Sequence, residues 1–174
     1  HQCFRRQRQM CIRDSFWVAR MIMMSIKLTK KIPFKIVYIH NLIRDHKGHK
    51  MSNTKGNVIY PLELIDKHGT DSLRFYLSSN LSPHNDIKIG KNSLDSYKNF
   101  MNKIWNAYNF VKINSEGYEI KNQLKPKNFY DFWIISRFSD LLSKYETYIE
   151  NCEIEKSATE IYKFFWDDYC DWYI

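Results

Sequence analysis

Glycine is scarce in this chain. Only five occur among 174 residues, at Gly48, Gly56, Gly69, Gly90 and Gly117, and no two lie within five residues of each other. A dinucleotide-binding GxGxxG and a GxxxxGKS/T phosphate loop both need closely spaced glycines, so neither can be written anywhere. Long apolar runs are missing too: the ~18 consecutive apolar residues of a membrane-spanning helix are never reached, and mean hydropathy is -0.55. Cysteine is limited to Cys3, Cys11, Cys152 and Cys170, with no CxxC pair and no His/Cys cluster. That removes support for a zinc module or a disulfide scaffold, and inert thiols in a reducing compartment are expected instead.

What is present describes a globular chain, 44% hydrophobic and 26% charged, of a size for one ordinary domain or two small ones. Lys and Arg outnumber Asp and Glu by 27 to 19, a net +8, which favours a polyanionic partner without naming one. Residues 1–15, HQCFRRQRQMCIRDS, hold four arginines against one aspartate, so +3 of that charge lies there and +5 in the rest. Their apolar residues keep no consistent face and follow no signal-peptide plan. The stretch resembles translated sequencing-adapter DNA, and a non-native tail is expected there. At the other end the sequence stops at Asp171-Trp-Tyr-Ile174 inside an amphipathic pattern, without a helix stop signal. An internal piece of a longer protein is the expectation.

Between these ends the organisation changes once. Phe16 to Ile26 is an apolar run broken by Arg20, predicted as a buried helix. Lys35 to Ile43 is β-branched and apolar on both alternating sets, predicted as a strand of a parallel sheet covered on both faces. Pro61 opens and Gly69 closes a short helix, and Thr70 can cap a second one through Ser79. Beyond Gly90 three long helical stripes follow. The first is Leu94, Tyr97, Met101, Ile104, Tyr108 and Val111. The second, opened by Asn128 or Asp131, is Ile134, Phe138, Leu141, Tyr145 and Tyr148. The third is Ile154, Ala158, Ile161, Phe165, Tyr169 and Trp172. They predict a bundle, with a surface connector from Asn114 to Lys127 and a domain boundary near Ser82 to Gly90.

Chemistry concentrates directly after the predicted strand, where open α/β sheets bind ligands. Arg44 to Asn57 is nearly free of apolar residues. Within it Lys50 and Lys55 offer ammonium groups, Ser52 and Thr54 hydroxyls, and Gly56 a hinge, a make-up suited to phosphate oxygens. Standing alone, such a segment is more often a solvated basic turn. His40, His46, His49, His68 and His84 never pair with carboxylates at metal-ligand spacing, so they read as surface or satisfied core histidines and no metal site is expected. The Trp and Tyr residues fall mostly on or beside the stripes and are assigned to packing rather than base stacking. Asp167, Asp168 and Asp171 are assigned to a helix face rather than to acid/base work.

The segment does not stand alone. Lys50-Met51-Ser52, followed by Lys55-Gly56-Asn57-Val58-Ile59 and Pro61-Leu62, strongly resembles the Lys-Met-Ser-Lys-Ser signature of class I aminoacyl-tRNA synthetases. Within that class, the stretches Phe16 to Met24, Tyr38 to Asp45, Asp71 to Phe75, Asn99 to Asn106 and Trp166 to Tyr173 resemble the valyl-tRNA synthetase family, so the likeness spans Phe16 to Ile174. It implies an α/β plus all-α fold. Residues 16–90 would be the closing part of a Rossmann-like nucleotide-binding domain with the loop, and residues 91–174 the start of a helical anticodon-binding bundle, left incomplete.

The implied activity is valine–tRNA ligation: ATP activates valine to valyl-adenylate, which is passed to tRNA(Val). Implied besides are Mg2+ with the ATP, a cytoplasmic and usually monomeric enzyme with no membrane partner, and a His-Ile-Gly-His element, valine pocket and editing domain that this sequence does not contain. Lys50 is carried over as the catalytic residue, and Lys50, Met51, Ser52, Asn53, Thr54 and Lys55 as the ATP loop. Asn53 stands where the second motif lysine belongs, and Thr54 replaces serine. An amide cannot supply a lysine's charge, whereas Lys55, two residues on, can in part. Of the segment Pro83 to Asp86 only Asp86 fits the family. The rivals are an isoleucyl- or leucyl-tRNA synthetase, which shares fold and loop, and a non-catalytic helical RNA-binding module.

Overall fold

In the computed structural model the described residues are 17–38, 40–82, 85–90, 92–117 and 126–174. Two compact units divide between Ile39 and His40. In the first, helix α1 spans Ala19–Thr29 and ends at Lys30, whose φ of 60° is left-handed and whose N–H bonds back to the Ile26 carbonyl. The expected helix therefore forms, but none of its residues is buried. Met23, Met24 and Leu28 are exposed. The predicted tail, residues 1–15, lies outside the described residues.

The second unit begins with a strand shorter than its apolar run suggests. Regular pairing covers only β1, Ile43–Asp45, and its partner β2, Ile87–Ile89. They run parallel with Ile43 opposite Ile87, Arg44 opposite Lys88 and Asp45 opposite Ile89. The parallel sheet is as predicted, but the strand is not. Lys35 to Leu42 takes no regular structure among its described residues, and Ile36 and Val37 are exposed rather than covered on both faces. A strand exists only as far as a neighbour pairs its N–H and C=O groups, and β2 offers three residues.

Two short helices follow the loop, α2 over Pro61–His68 and α3 over Thr70–Ser79. Pro61 at the first turn and Gly69 at the end of α2 do what their positions predict: the Gly69 N–H closes on the Ile65 carbonyl, and its φ of 87° suits a residue without Cβ. Thr70 is already helical and makes no side-chain cap, so the expected cap is absent and Gly69 alone separates the helices. Leu73 and Tyr76 of α3 pack with Ile87, Ile89 and Leu94 into a buried core. The Tyr76 hydroxyl donates to the Lys88 carbonyl at 2.7 Å, so the core also holds β2 in place.

The helical part comprises α4, Asp95–Asn114, α5, Phe129–Glu150, and α6, Ile154–Lys163, which runs into a π-helical segment, Phe164–Tyr173. Asn128 caps α5 as predicted, its side-chain oxygen accepting the Asp131 N–H at 2.9 Å. The burial of Ile134 and Leu141 follows the second stripe, but Phe138 and Tyr145 on it are exposed. The first stripe is only half right. Leu94 is buried, but Tyr108 and Val111 are exposed, and the deepest aromatic is Phe100, off the stripe and 1% exposed. It meets Phe75 at 5.1 Å, Tyr162 at 4.6 Å and Phe165 at 5.9 Å between ring centroids.

The third stripe holds through Tyr169, with Ala158 buried and the others half-buried, and the π segment explains why it fails at its last residue. Its wider turn, with i to i+5 bonds such as Ile174 N–H to Tyr169 O at 2.9 Å, shifts the faces away from a 3.6-residue period. Trp172 is thereby left 78% exposed, while Trp166 stacks on Tyr162 at 5.6 Å. Lys103 lies 3.9 Å over the Trp166 ring and reaches Asp171 at 2.6 Å. Arg137 reaches Asp168 at 2.8 Å. Asp168 and Asp171 are thus ion-pair partners between helices. Cys152 and Cys170 are free and half-buried. No helix among the described residues is long and apolar enough to cross a membrane.

Candidate nucleotide-loop site

At the end of β1 the chain turns back on itself. The Asp45 N–H bonds to the His49 carbonyl at 3.1 Å and the Gly48 N–H to the Asp45 carbonyl at 2.9 Å. This tight turn puts Gly48 at a φ of 82°, where any other residue would be strained. Lys50 then meets Arg44 in an isolated antiparallel bridge. Met51 and Ser52 follow half-buried, and Asn53–Lys55 form one turn of 3-10 helix closed by Gly56 at a φ of 63°.

Polar contacts at the base hold this excursion. The Asp45 carboxylate is buried. One of its oxygens accepts the Lys47 N–H at 3.0 Å and the His49 N–H at 2.7 Å. The other accepts the Asn57 side-chain amide at 2.9 Å and lies 3.5 Å from the His49 ring. The Asn57 amide bond first, then the backbone donors and His49, hold the Asp45 carboxyl down at about 2, against an ordinary 3.8. Asn57 in turn accepts the Ser52 N–H at 3.0 Å and donates to the Lys50 carbonyl at 3.3 Å. Beside them Arg44 pairs with Asp86, whose other oxygen faces the Leu42 N–H at 3.4 Å. The Asn41 side chain donates to the carbonyls of Ser82 and Asn85. Side chains from the β1 edge therefore lock onto the segment leading into β2.

The predicted loop residues are thus together, on one excursion at the carboxyl end of a parallel strand. Lys50, Asn53, Thr54 and Lys55 are exposed, and neither lysine has an ion-pair partner among the described residues. Ser52 and Thr54 hydroxyls bond to each other at 3.1 Å. Two cations and two hydroxyls on a solvent-facing turn can meet phosphate oxygens. Sequence reasoning did not assign roles to Asp45, Asn57 and Arg44. Their signals were position, a carboxylate at the strand's end and an amide closing the basic stretch, and a place within the stretches that resemble the family.

His68 departs from expectation differently. It is buried, yet neither ring nitrogen makes a hydrogen bond among the described residues, and its Nδ1 lies 3.4 Å from an Asp95 oxygen, within ion-pair range but poorly placed to bond. It is a core histidine but not a satisfied one. No group of three or more His, Cys, Asp or Glu among the described residues is arranged to hold a metal ion.

Comparison with known proteins identifies the family. The family model of class I tRNA synthetases (I, L, M and V) matches residues 12–90, and the anticodon-binding domain of tRNA ligases matches residues 131–174. The first match takes in residues 12–15, which the sequence assigns to the tail. The chain belongs to the class I tRNA synthetases. Relatives within that class include valine–tRNA ligases. Those of Fervidobacterium nodosum and Thermotoga maritima are each 46% identical over 91% of this chain, and that of Carboxydothermus hydrogenoformans is 41% identical over the same share. The chain spans 18% of the length of each. Among solved structures, a leucyl-tRNA synthetase of Agrobacterium radiobacter K84, in a ternary complex with tRNA and LeuAMS, superposes with a TM-score of 0.69 at 19% identity, covering 83% of this chain and 19% of that one. It shares the fold. The isoleucyl or leucyl alternative is not favoured by the sequence relatives.

Proposed function

We propose that this chain is the part of a valine–tRNA ligase that carries the phosphate-facing loop and the start of the tRNA-binding helices. Residues 16–90 close the catalytic domain, and residues 91–174 open the anticodon-binding domain. The whole enzyme joins valine to tRNA(Val) in the cytoplasm. A valine carboxylate oxygen attacks the α-phosphorus of ATP, the bond to the bridging oxygen breaks, and pyrophosphate leaves with the electron pair. The terminal ribose hydroxyl of tRNA(Val) then attacks the carbonyl carbon of the adenylate, and AMP departs.

Charge builds on the pyrophosphate in the first step, and that is where the loop acts. Lys50 supplies a cation to the departing oxygens, Ser52 and Thr54 supply hydroxyl donors, and Met51, Asn53 and Lys55 complete the turn. A cation that engages mainly in the transition state lowers the barrier rather than tightening the ground state. The Mg2+ expected from the family would accompany the ATP phosphates and help neutralise their charge. The observation that carries this reading is likeness to valine–tRNA ligases along 91% of the chain, the loop included.

Valine-dependent ATP–pyrophosphate exchange by a full-length ligase carrying this segment tests it. Exchange is expected with valine and not with isoleucine or leucine, and Lys50→Ala should slow it about ten- to a hundredfold, the worth of one charge-assisted contact. Exchange that follows isoleucine or leucine would move the chain to a sister enzyme. An unaltered Lys50→Ala rate would sink the role given to the loop, and tRNA binding with no exchange at all would favour the non-catalytic RNA-binding module.

A further inference from the structure

The loop's exposed turn carries the groups suited to phosphate, but its placement is decided below, at two residues that offer nothing to a nucleotide. Asp45 is fixed by β1: its backbone lies in register with Ile89 and its N–H closes the tight turn on His49. Its carboxylate grips both the ascending side of the loop, through the Lys47 and His49 N–H groups, and the descending side, through Asn57. Asn57 passes that anchorage on. Its single amide holds the Lys50 carbonyl at 3.3 Å and the Ser52 N–H at 3.0 Å, the backbone on either side of Met51. A continuous line of bonds therefore runs from the sheet to Lys50 and Ser52, whereas Asn53–Lys55 beyond it are held by their own short turn and by the Thr54 hydroxyl's bond to Ser52.

We propose that Asp45 and Asn57 form a clasp that positions Lys50 and Ser52 for the phosphates, acting through the loop backbone without touching the nucleotide. The proposal rests on the nucleotide-loop reading above and adds to it how the loop is aimed. The clasp is directional in its chemistry. Asp45 must accept and Asn57 must donate at the shared contact, so Asp45→Asn sets two amide groups against each other. The exchange Asp45→Asn with Asn57→Asp restores a donor facing an acceptor. In that pair the residue at 45 still accepts from the Lys47 and His49 N–H groups, and the residue at 57 still accepts from Ser52. The bond to the Lys50 carbonyl and the carboxylate's contact with the His49 ring are lost.

The experiment is valine-dependent ATP–pyrophosphate exchange in the full-length ligase carrying this segment, with amide hydrogen exchange on the chain itself. Asp45→Asn and Asn57→Ala should each lower kcat about tenfold at unchanged KM for valine. The exchanged pair should recover most of the loss. In a Lys50→Ala background the same substitutions should cost little more, because they act through Lys50. Asn57→Ala should also speed amide exchange at Ser52 in a chain that remains folded.

Unchanged kcat in both single variants, or a full additional loss on top of Lys50→Ala, overturns the clasp. So does unaltered protection at Ser52, which is readable whether or not activity can be measured. The two levels separate: a silent Lys50→Ala sinks the nucleotide-loop reading, whereas a damaging Lys50→Ala with silent Asp45 and Asn57 variants sinks the clasp alone.

Discussion

The loop above β1 and the aromatic cluster around Phe100 are ordered by opposite means. Around Phe100, which is 1% exposed, Phe75, Tyr162, Phe165 and Trp166 close from three other elements. Non-directional burial does the work there, and ion pairs such as Lys103 with Asp171 trim the edge. The loop has almost nothing apolar to bury. Its shape comes from directional bonds that converge on one carboxylate and one amide, and its functional side chains stay in solvent. A region built by packing resists change and answers in stability, whereas a region built by a few bonds can move, and answers in rate.

The largest effect that separates the two is loss of the central ring. Phe100→Ala should destabilise the chain by about 3–5 kcal/mol, the transfer and cavity cost of a buried aromatic, measured by denaturant unfolding. Loop substitutions such as Lys55→Ala should move the midpoint hardly at all. A loss below about 1 kcal/mol would mean that the cluster relaxes freely and that its packing is not what orders the helices.

Next in size is a change of rate without a change of stability. Asn53→Lys in the full-length ligase should speed adenylate formation by about ten- to a hundredfold, the worth of one charge-assisted contact, with little change in valine affinity. If Lys55 already meets the phosphates, that gain shrinks and Lys55→Ala becomes the damaging change. Single-turnover kinetics on both variants decide between them, and no change in either would detach this turn from the chemical step.

Acid separates the regions in a third way. Asp45 titrates at about 2 in the folded chain, below its ordinary 3.8, so its contribution is complete above about pH 4 and is lost as pH falls through about 2. The stability gap between the native chain and Asp45→Asn should therefore narrow over that window. Asp131 is also held low, first by the Lys127 N–H and then by Tyr173 and the Asn128 backbone, but it secures the start of α5 and not the Phe100 cluster. A gap that stays constant down to pH 2 would show that Asp45 is not held as described.

What the sequence made legible followed from local rules, and what it hid depended on partners. Pro61, Gly69 and Asn128 punctuate helices through their own backbone or side chain, so they could be read directly. The loop residues Lys50 to Lys55 were visible because they match a known signature, although standing alone they read as an ordinary solvated basic turn. β2 is only three residues long and was missed, and with it the reason why the predicted strand shrinks to Ile43–Asp45. The clasp was invisible because the bond between Asp45 and Asn57 spans twelve positions, and nothing in spacing alone marks a carboxylate that will be buried against an amide.

The smallest expected effect tests the one place where periodicity itself misled. A 3.6-residue stripe continued past Lys163 puts Trp172 in the core, but the π-helical turn over Phe164–Tyr173 leaves it 78% exposed. The same turn brings Trp166 under Lys103 and beside Tyr162. Removing an exposed side chain from this chain should cost no more than about 0.5 kcal/mol, so Trp172→Ala should barely shift the unfolding midpoint. Trp166→Ala should cost several times as much, since it empties a site packed by Phe100 and Tyr162 and frees the Lys103 ammonium from the ring. Indole fluorescence offers a second reading: collisional quenching should fall more in Trp172→Ala than in Trp166→Ala, since Trp172 is exposed and Trp166 half-buried. Equal losses of stability from the two substitutions would mean that the segment keeps α-helical register in solution, with Trp172 returned to the stripe and the contacts of Trp166 no longer the ones that join the last segment to α4.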